Sequence, residues 1–269
     1  MCLDKQVRFE TRVNRIITAL DFANASKARE FIAKVDPSLT RLKIGNQLFT
    51  AGGPQFVEHC QKAGFDVFLD LKYHDIPNTV ASAVEAAAGL GVWMVNLHAS
   101  GGPAMLSASR DAVAQYDRNA EKAGGTRLIA VTVLTSLDQT QMSATGLDMQ
   151  PTEQVERLAK LAREAGLDGV VCSPHEVDII RRTAKKNFLI VTPGIRPDKD
   201  GKVPVQQITS HGGAPDDQRR TLTPYDAIVS GSDYLVIGRP ITQADSPVEV
   251  LHALNAEVQI AAAQRVAND

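Results

Sequence analysis

The chain has 269 residues, close to the ~250 of one eight-stranded β/α barrel, and its 43% hydrophobic and 22% charged residues exclude the disordered and fibrous classes. Twenty-nine Lys and Arg against 31 Asp and Glu leave a net charge of −2, so no chain-wide attraction to nucleic acid or acidic membrane is expected and any anion site must be local. Cys2, Cys60 and Cys172 stand far apart with no C-x-x-C pair, which argues against a disulfide framework or zinc knuckle and fits a reducing cytoplasm. Residues 1–14 lack the apolar segment of a secretory signal, and no apolar run approaches the ~20 residues of a membrane-spanning helix.

Short apolar, β-branched runs recur along the chain at 15–21, 41–45, 66–72, 93–98, 127–134, 169–173, 188–194 and 234–239. Helical patterns separate them at 26–35, 54–63, 78–90, 103–123, 152–165, 174–185 and 224–230, several opening at proline or a capping hydroxyl or amide, and 248–266 closes the chain. Strands that alternate with helices form a parallel sheet, and eight of them predict a single α/β domain over 1–269, a (β/α)8 TIM barrel. The segment 198–220 breaks the rhythm. It is rich in Gly, Pro, Asp and Gln and too long for an ordinary connection, which reads either as a tolerated insertion or as a loop that closes over a phosphate.

In the run 66–72, period-two alternation sends Val67, Leu69 and Leu71 to one face and Phe68, Asp70 and Lys72 to the other. An isolated Asp-x-Lys is most simply a surface ion pair. Here Asp21 ends the first run in phase with Ile17 and Ala19, and Lys43 lies opposite Leu42 and Ile44 near the end of the second. Four charges then meet at adjacent strand ends, where barrel active sites are built, at a desolvation cost that a structural site would avoid with apolar residues. Asp75 follows three residues after Lys72. The eighth run ends Val236-Ile237-Gly238-Arg239-Pro240, where barrels commonly bind phosphate: glycine lets the backbone N–H approach and arginine's fork grips two oxygens. Pro193-Gly194-Ile195-Arg196-Pro197 fixes a tight path after the seventh run and leaves Arg196 facing substrate or loop.

His98, at a strand end, reads equally as a satisfied core group or a ligand, and no H-E-x-x-H spacing occurs, so no metal is expected. Neither a strand-to-helix G-x-G-x-x-G, a P-loop nor a serine nucleophile elbow is found, and no cofactor is expected.

The stretch Asp70-Leu-Lys-Tyr-His-Asp75-Ile-Pro-Asn-Thr79-Val closely resembles the signature of the orotidine 5′-phosphate decarboxylase family, whose core is Asp-x-Lys-x-x-Asp. The resemblance continues through Leu20-Asp21-Phe22, Lys43-Ile44-Gly45, Val131 to Ser136, Pro193 to Pro197, Asp217-Gln218-Arg219-Arg220 and Val236 to Pro240, and covers essentially 15–243. It implies a cytoplasmic, cofactor-free homodimer that turns orotidine 5′-phosphate into UMP. Asp70 and Lys72 would be the central catalytic pair, while Asp75 and Thr79 reach the neighbouring subunit's site. Asp21 and Lys43 would hold the ribose and the charge network, and Thr135 and Ser136 would meet the pyrimidine edge. Arg196, Gln218, Gly238 and Arg239 would bind the phosphate or close over it. The chain departs from many relatives in a longer insert before Gln218 and in Asp216-Asp217 where glycine is often seen, which leaves Gln206 and Gln207 as rivals for Gln218. Barrels acting on sugar phosphates, such as 3-keto-gulonate 6-phosphate decarboxylases and hexulose-phosphate synthases, share the core and usually need Mg²⁺. The Ile76-Pro77-Asn78-Thr79 continuation and the Asp-Gln-Arg-Arg stretch favour the nucleotide enzyme. A silent nucleotide-binding barrel is the remaining alternative, against which Lys72 between two aspartates speaks.

Overall fold

Runs of branched aliphatic residues form the strands because their crowded Cβ atoms suit extended backbone and pack well on a pleated surface. In a computed structural model, which describes residues 14–121, 124–184, 187–197 and 222–268, they are β1 (Ile16–Ala19), β2 (Arg41–Gly45), β3 (Val67–Tyr73), β4 (Met94–His98), β5 (Arg127–Val131), β6 (Gly169–Val171), β7 (Leu189–Thr192) and β8 (Tyr234–Ile237). All neighbours are parallel, in chain order, and β8 pairs back to β1 (Ile17 opposite Val236), so the sheet closes into the expected (β/α)8 TIM barrel.

The helices are α1 (Ala25–Ile32), α2 (Asn46–Lys62), α3 (Pro77–Gly89), α4 (Gly102–Asn119), α5 (Gln139–Ala144), α6 (Pro151–Glu164), α7 (Val177–Thr183), α8 (Pro224–Val229), α9 (Arg239–Thr242) and α10 (Pro247–Asn268). Proline opens α3, α6 and α8, where its missing N–H costs nothing, and the side chains of Asn24, Asp138 and Thr223 accept first-turn amides of α1, α5 and α8. Three departures from the sequence pattern have local causes. α2 starts at Asn46 rather than at 54, because a first helical stretch precedes Gly53, whose φ of 61° and ψ of −169° break the helix before Pro54 restarts it. α5 and α9 are too short to show a 3.6-residue period. The helix expected over 174–185 is a 3₁₀ turn (Pro174–Glu176) leading into α7, fastened by the Ser173 N–H donating to the Glu176 carboxylate at 2.9 Å.

Strand alternation sorts the core into two layers. Ile16, Leu42, Ile44, Val67, Leu69, Val95, Leu97, Ala130, Val170, Ile190, Leu235 and Ile237 face the helices, whereas Ile17, Ala19, Phe68, Met94, Ile129, Val191 and Val236 fill the barrel. At the N-terminal end Trp93 and Tyr234 meet edge to face at 5.0 Å, and the Arg41 guanidinium lies 4.4 Å from the Trp93 ring centroid while its Nε holds Asp66 at 3.2 Å. That end is closed by packing, which leaves the C-terminal ends of the strands for chemistry.

In the barrel wall β6 passes close to β7 at Gly169, where a Cβ would sit 2.2 Å from the Leu189 carbonyl oxygen. Gly169→Ala must therefore push β6 from β7, and we expect a loss of about 1–3 kcal/mol, the usual range for overpacking, read as a lower urea midpoint. An unchanged midpoint would show that the wall yields there.

Candidate active site

Inward positions nearest the C-terminal strand ends hold polar groups where the layers below hold apolar ones. A cavity of about 720 Å³ opens there, lined among others by Asp21, Lys43, Asp70 and Lys72 on one side and by Thr135, Ser136, Arg196, Gly238 and Arg239 around the rest. Nine of the expected site residues thus line one cavity, contributed by or following β1, β2, β3, β5, β7 and β8.

The charges form an alternating chain. Lys43 Nζ lies 3.6 Å from Asp21 Oδ1 and 3.1 Å from Asp70 Oδ2, and Lys72 Nζ donates to Asp70 Oδ1 at 2.7 Å. Asp70 is buried and Lys43 nearly so, whereas Asp21 faces solvent. Burial alone would raise the Asp70 pKa, but Lys43 and Lys72, with help from Asn96, overcome it and hold the carboxyl down to about 2. Burial likewise pulls against the Lys43 ammonium, and the carboxylates of Asp70 and Asp21 outweigh it and raise its pKa. Asp70 and Lys43 therefore carry full charge in the neutral range.

Lys72 is placed by an irregular backbone. Between Leu69 (opposite Val95) and Tyr73 (opposite Leu97) the β3–β4 register shifts, and Lys72 takes φ 52°, a left-handed conformation that costs a residue with a Cβ roughly 1–2 kcal/mol. Its N–H donates to Asn96 Oδ1 at 2.8 Å, and Asn96 Nδ2 donates to Asp70 Oδ1 at 2.7 Å. Asn96 was missed in the sequence, although an amide at an inward position of the apolar run 93–98 was the available signal. Gln47 and Gln243 also line the cavity and were missed for a different reason: they sit on or beside the unexpected first stretch of α2 and the short α9.

Gly238 lies close to the charged chain, since a Cβ there would stand 3.2 Å from Asp21 Oδ2 and 3.5 Å from the Ala19 Cβ. Arg196 is anchored by its N–H to the Leu222 carbonyl at 3.0 Å, where Ile195 pairs with Leu222. The expected loop 198–220, with Gln218 and its rivals Gln206 and Gln207, lies outside the described residues. Asp75 and Thr79 do not line this cavity. They are exposed at the start of α3, where Asp75 Oδ1 accepts from the Ile76 N–H at 2.6 Å and the Ile76 side chain is 67% exposed. His98 packs against His74 with centroids 5.5 Å apart and ring planes tilted by 36°, and burial first, then the charges of His74 and Lys72, lower its pKa. Among the described residues no group of three or more His, Cys, Asp or Glu side chains is arranged to hold a metal ion, and no helix is long and apolar enough to cross a membrane.

Fold and site together define a β/α-barrel enzyme whose charged groups are gathered at the C-terminal mouth. The family model described as "Orotidine 5′-phosphate decarboxylase / HUMPS family" matches residues 14–254, and the chain belongs to that family. It is 53% identical over 241 residues to the orotidine 5′-phosphate decarboxylase of Tolumonas auensis, covering 90% of this chain and 97% of the relative. It is 51% identical over 241 residues to that of Aliivibrio fischeri strain MJ11, covering 90% and 95%. The crystal structure of orotidine 5′-phosphate decarboxylase from Lactobacillus acidophilus superposes with a TM-score of 0.75 at 34% identity, over 91% of this chain and 99% of that one.

Because the folded Asp70 pKa lies below the ordinary carboxylate value of 3.8, its ionisation stabilises the fold above that value and the contribution is lost as pH falls towards about 2. The wild-type unfolding free energy from urea titration should therefore fall more steeply than that of Asp70→Asn as pH is lowered from about 5 to about 3, the two converging by an amount on the order of 1 kcal/mol. Parallel curves would mean that Asp70 is not held ionised by its lysines.

Proposed function

We propose that the chain decarboxylates orotidine 5′-phosphate to UMP, the last step of de novo pyrimidine nucleotide synthesis, with Lys72 as proton donor to C6 within the Asp/Lys network and without a cofactor. The observation that carries this reading is the Lys72 ammonium 2.7 Å from a buried, ionised Asp70 at a cavity mouth, in a chain that belongs to this decarboxylase family. Breaking the bond between C6 and the carboxylate leaves its electron pair on C6, with no cofactor to accept it, so positive charge already in place must stabilise the transition state. Lys72 is that charge. Its proton passes from Nζ to C6, and the neutral amine recovers a proton from water.

At ~4 Å and an effective dielectric near 20 one such charge pair is worth about 4 kcal/mol, part of the ~8–23 kcal/mol by which enzymes commonly lower barriers. The substrate carboxylate, placed beside Asp70, meets a like charge that is relieved as CO₂ leaves. Asp21 and Lys43 hold the ribose, Thr135 and Ser136 meet the pyrimidine edge, and Arg196, Gly238 and Arg239 bind the phosphate. Residues 198–220, Gln218 among them, close over that phosphate, so that remote binding energy helps exclude water from the site. Asp75 and Thr79 complete the neighbouring subunit's site in a homodimer, a reading supported by their exposure beside Ile76 and away from their own cavity. A cytoplasmic setting fits the free, buried Cys60, whose thiol burial pushes up to about 12.

Absorbance of orotidine 5′-phosphate, followed in excess chelator, should change with wild type and lose its rate by at least about 1000-fold in Lys72→Ala. A wild type silent until Mg²⁺ and a sugar phosphate are supplied would move the assignment to the sugar-phosphate barrels. Arg239→Ala should lower kcat/KM on the order of 100-fold or more for orotidine 5′-phosphate and far less for orotidine, because only the phosphorylated substrate has that binding energy to lose. Equal losses on both substrates would remove the phosphate role.

A further inference from the structure

We infer that Asn96 is a positioning residue for the reaction, a two-ended clamp that fixes both the Asp70 carboxylate and the backbone from which Lys72 projects; the inference rests on Lys72 being the proton donor. Asn96 is the inward residue of β4 between Met94 and His98 and is 1% exposed. Its two hydrogen bonds have opposite sense. Oδ1 accepts from the Lys72 N–H and Nδ2 donates to Asp70 Oδ1, the same oxygen that accepts from Lys72 Nζ. The amide orientation follows from the partners, because a flipped group would set Nδ2 against an N–H donor and its oxygen against a carboxylate.

These contacts close a ring from the Lys72 backbone through Asn96 and Asp70 to the Lys72 ammonium, so the lysine is held at both ends. The clamp sits where the ladder fails: β3 advances from Leu69 to Tyr73 while β4 advances only from Val95 to Leu97, and the Lys72 N–H bonds to a side chain rather than to a strand carbonyl. Residue 96 must therefore be acceptor and donor at once, at this length. A serine hydroxyl is too short to span both partners, and an ionised carboxylate has no proton to give. A protonated carboxylic acid can replace the amide, with one oxygen accepting and its O–H donating.

Asn96→Asp is therefore a titratable version of the clamp. The introduced acid would face Asp70 and Lys72 from β3, with Lys43 from β2 behind Asp70, His98 farther along β4 against His74, and from β5 only Ile129 opposite it. Its closest charged neighbour is the Asp70 carboxylate, which favours the protonated form until rising pH ionises the new acid and sets two carboxylates against each other. Activity should then fall with rising pH.

The test measures kcat and KM for orotidine 5′-phosphate from about pH 5 to about pH 9 in wild type, Lys72→Ala, Asn96→Asp and Asn96→Ser, with folding checked by thermal unfolding with and without UMP. Expected for Asn96→Ser is a kcat lower on the order of 100-fold with KM changed less than about threefold, as misplacement of a reacting group without loss of ground-state binding should give. Expected for Asn96→Asp is a kcat nearest wild type at the acid end and a descending limb that wild type lacks. Should the aspartate variant fail to fold, the serine variant decides by its split between kcat and KM. Folded variants that keep wild-type kcat at every pH, pH-independent losses shared by kcat and KM, or failure of both variants to fold would each overturn the clamp. A silent wild type or an active Lys72→Ala would instead bring down the reading of Lys72, and the clamp with it.

Discussion

The site is organised around one buried carboxylate. Asp70 faces the barrel interior with Lys43 on Oδ2 and Lys72 on Oδ1, and Lys43, with 13% of its side chain exposed, could not be drawn so far from solvent without it. An isolated ion of that size would lose several kcal/mol on leaving water, and the protein recovers this only by surrounding Asp70 with two cations and an amide donor. The arrangement is costly as a structural device, and in the reaction we propose it is useful because charge is fixed before substrate arrives and need not be reorganised.

The barrel makes such an arrangement possible through its layers. Trp93, Tyr234 and Arg41 close one end, Phe68, Met94, Ile129 and Val191 fill the middle, and the polar layer sits above them at the C-terminal strand ends. With the lower layers packed, the upper groups stand on a filled apolar floor. Where regular geometry would not deliver Lys72 to Asp70, the chain departs from it, with a register shift and a left-handed residue held by the Asn96 side chain. Strain of this kind persists where surrounding contacts over-determine it, and it sits at the residue to which we assign the proton transfer.

Much of this was written in the sequence because strand alternation is a rule of chain geometry. Ile17 and Ala19, or Phe68 and Asp70, share a face by alternation, so the layers and the gathering of Asp21, Lys43, Asp70 and Lys72 at adjacent strand ends could be read from spacing, although the left-handed backbone that delivers Lys72 could not. The eight-unit rhythm likewise predicted the closed barrel, since parallel strands joined by helices have few ways to cover both faces. The Gly238-Arg239 pair could be placed at the mouth for the same reason.

Only the tertiary structure decided how the charges touch. Which carboxylate oxygen each lysine takes, the inward amide of Asn96 that joins β4 to β3, and the close approach of Gly238 to Asp21 and Ala19 all depend on residues remote in the chain. Alternation assigns a side chain to a face and is silent about its partner across the barrel. Partners are set by strand register and by local departures from it, and those are settled by packing of the whole closed sheet.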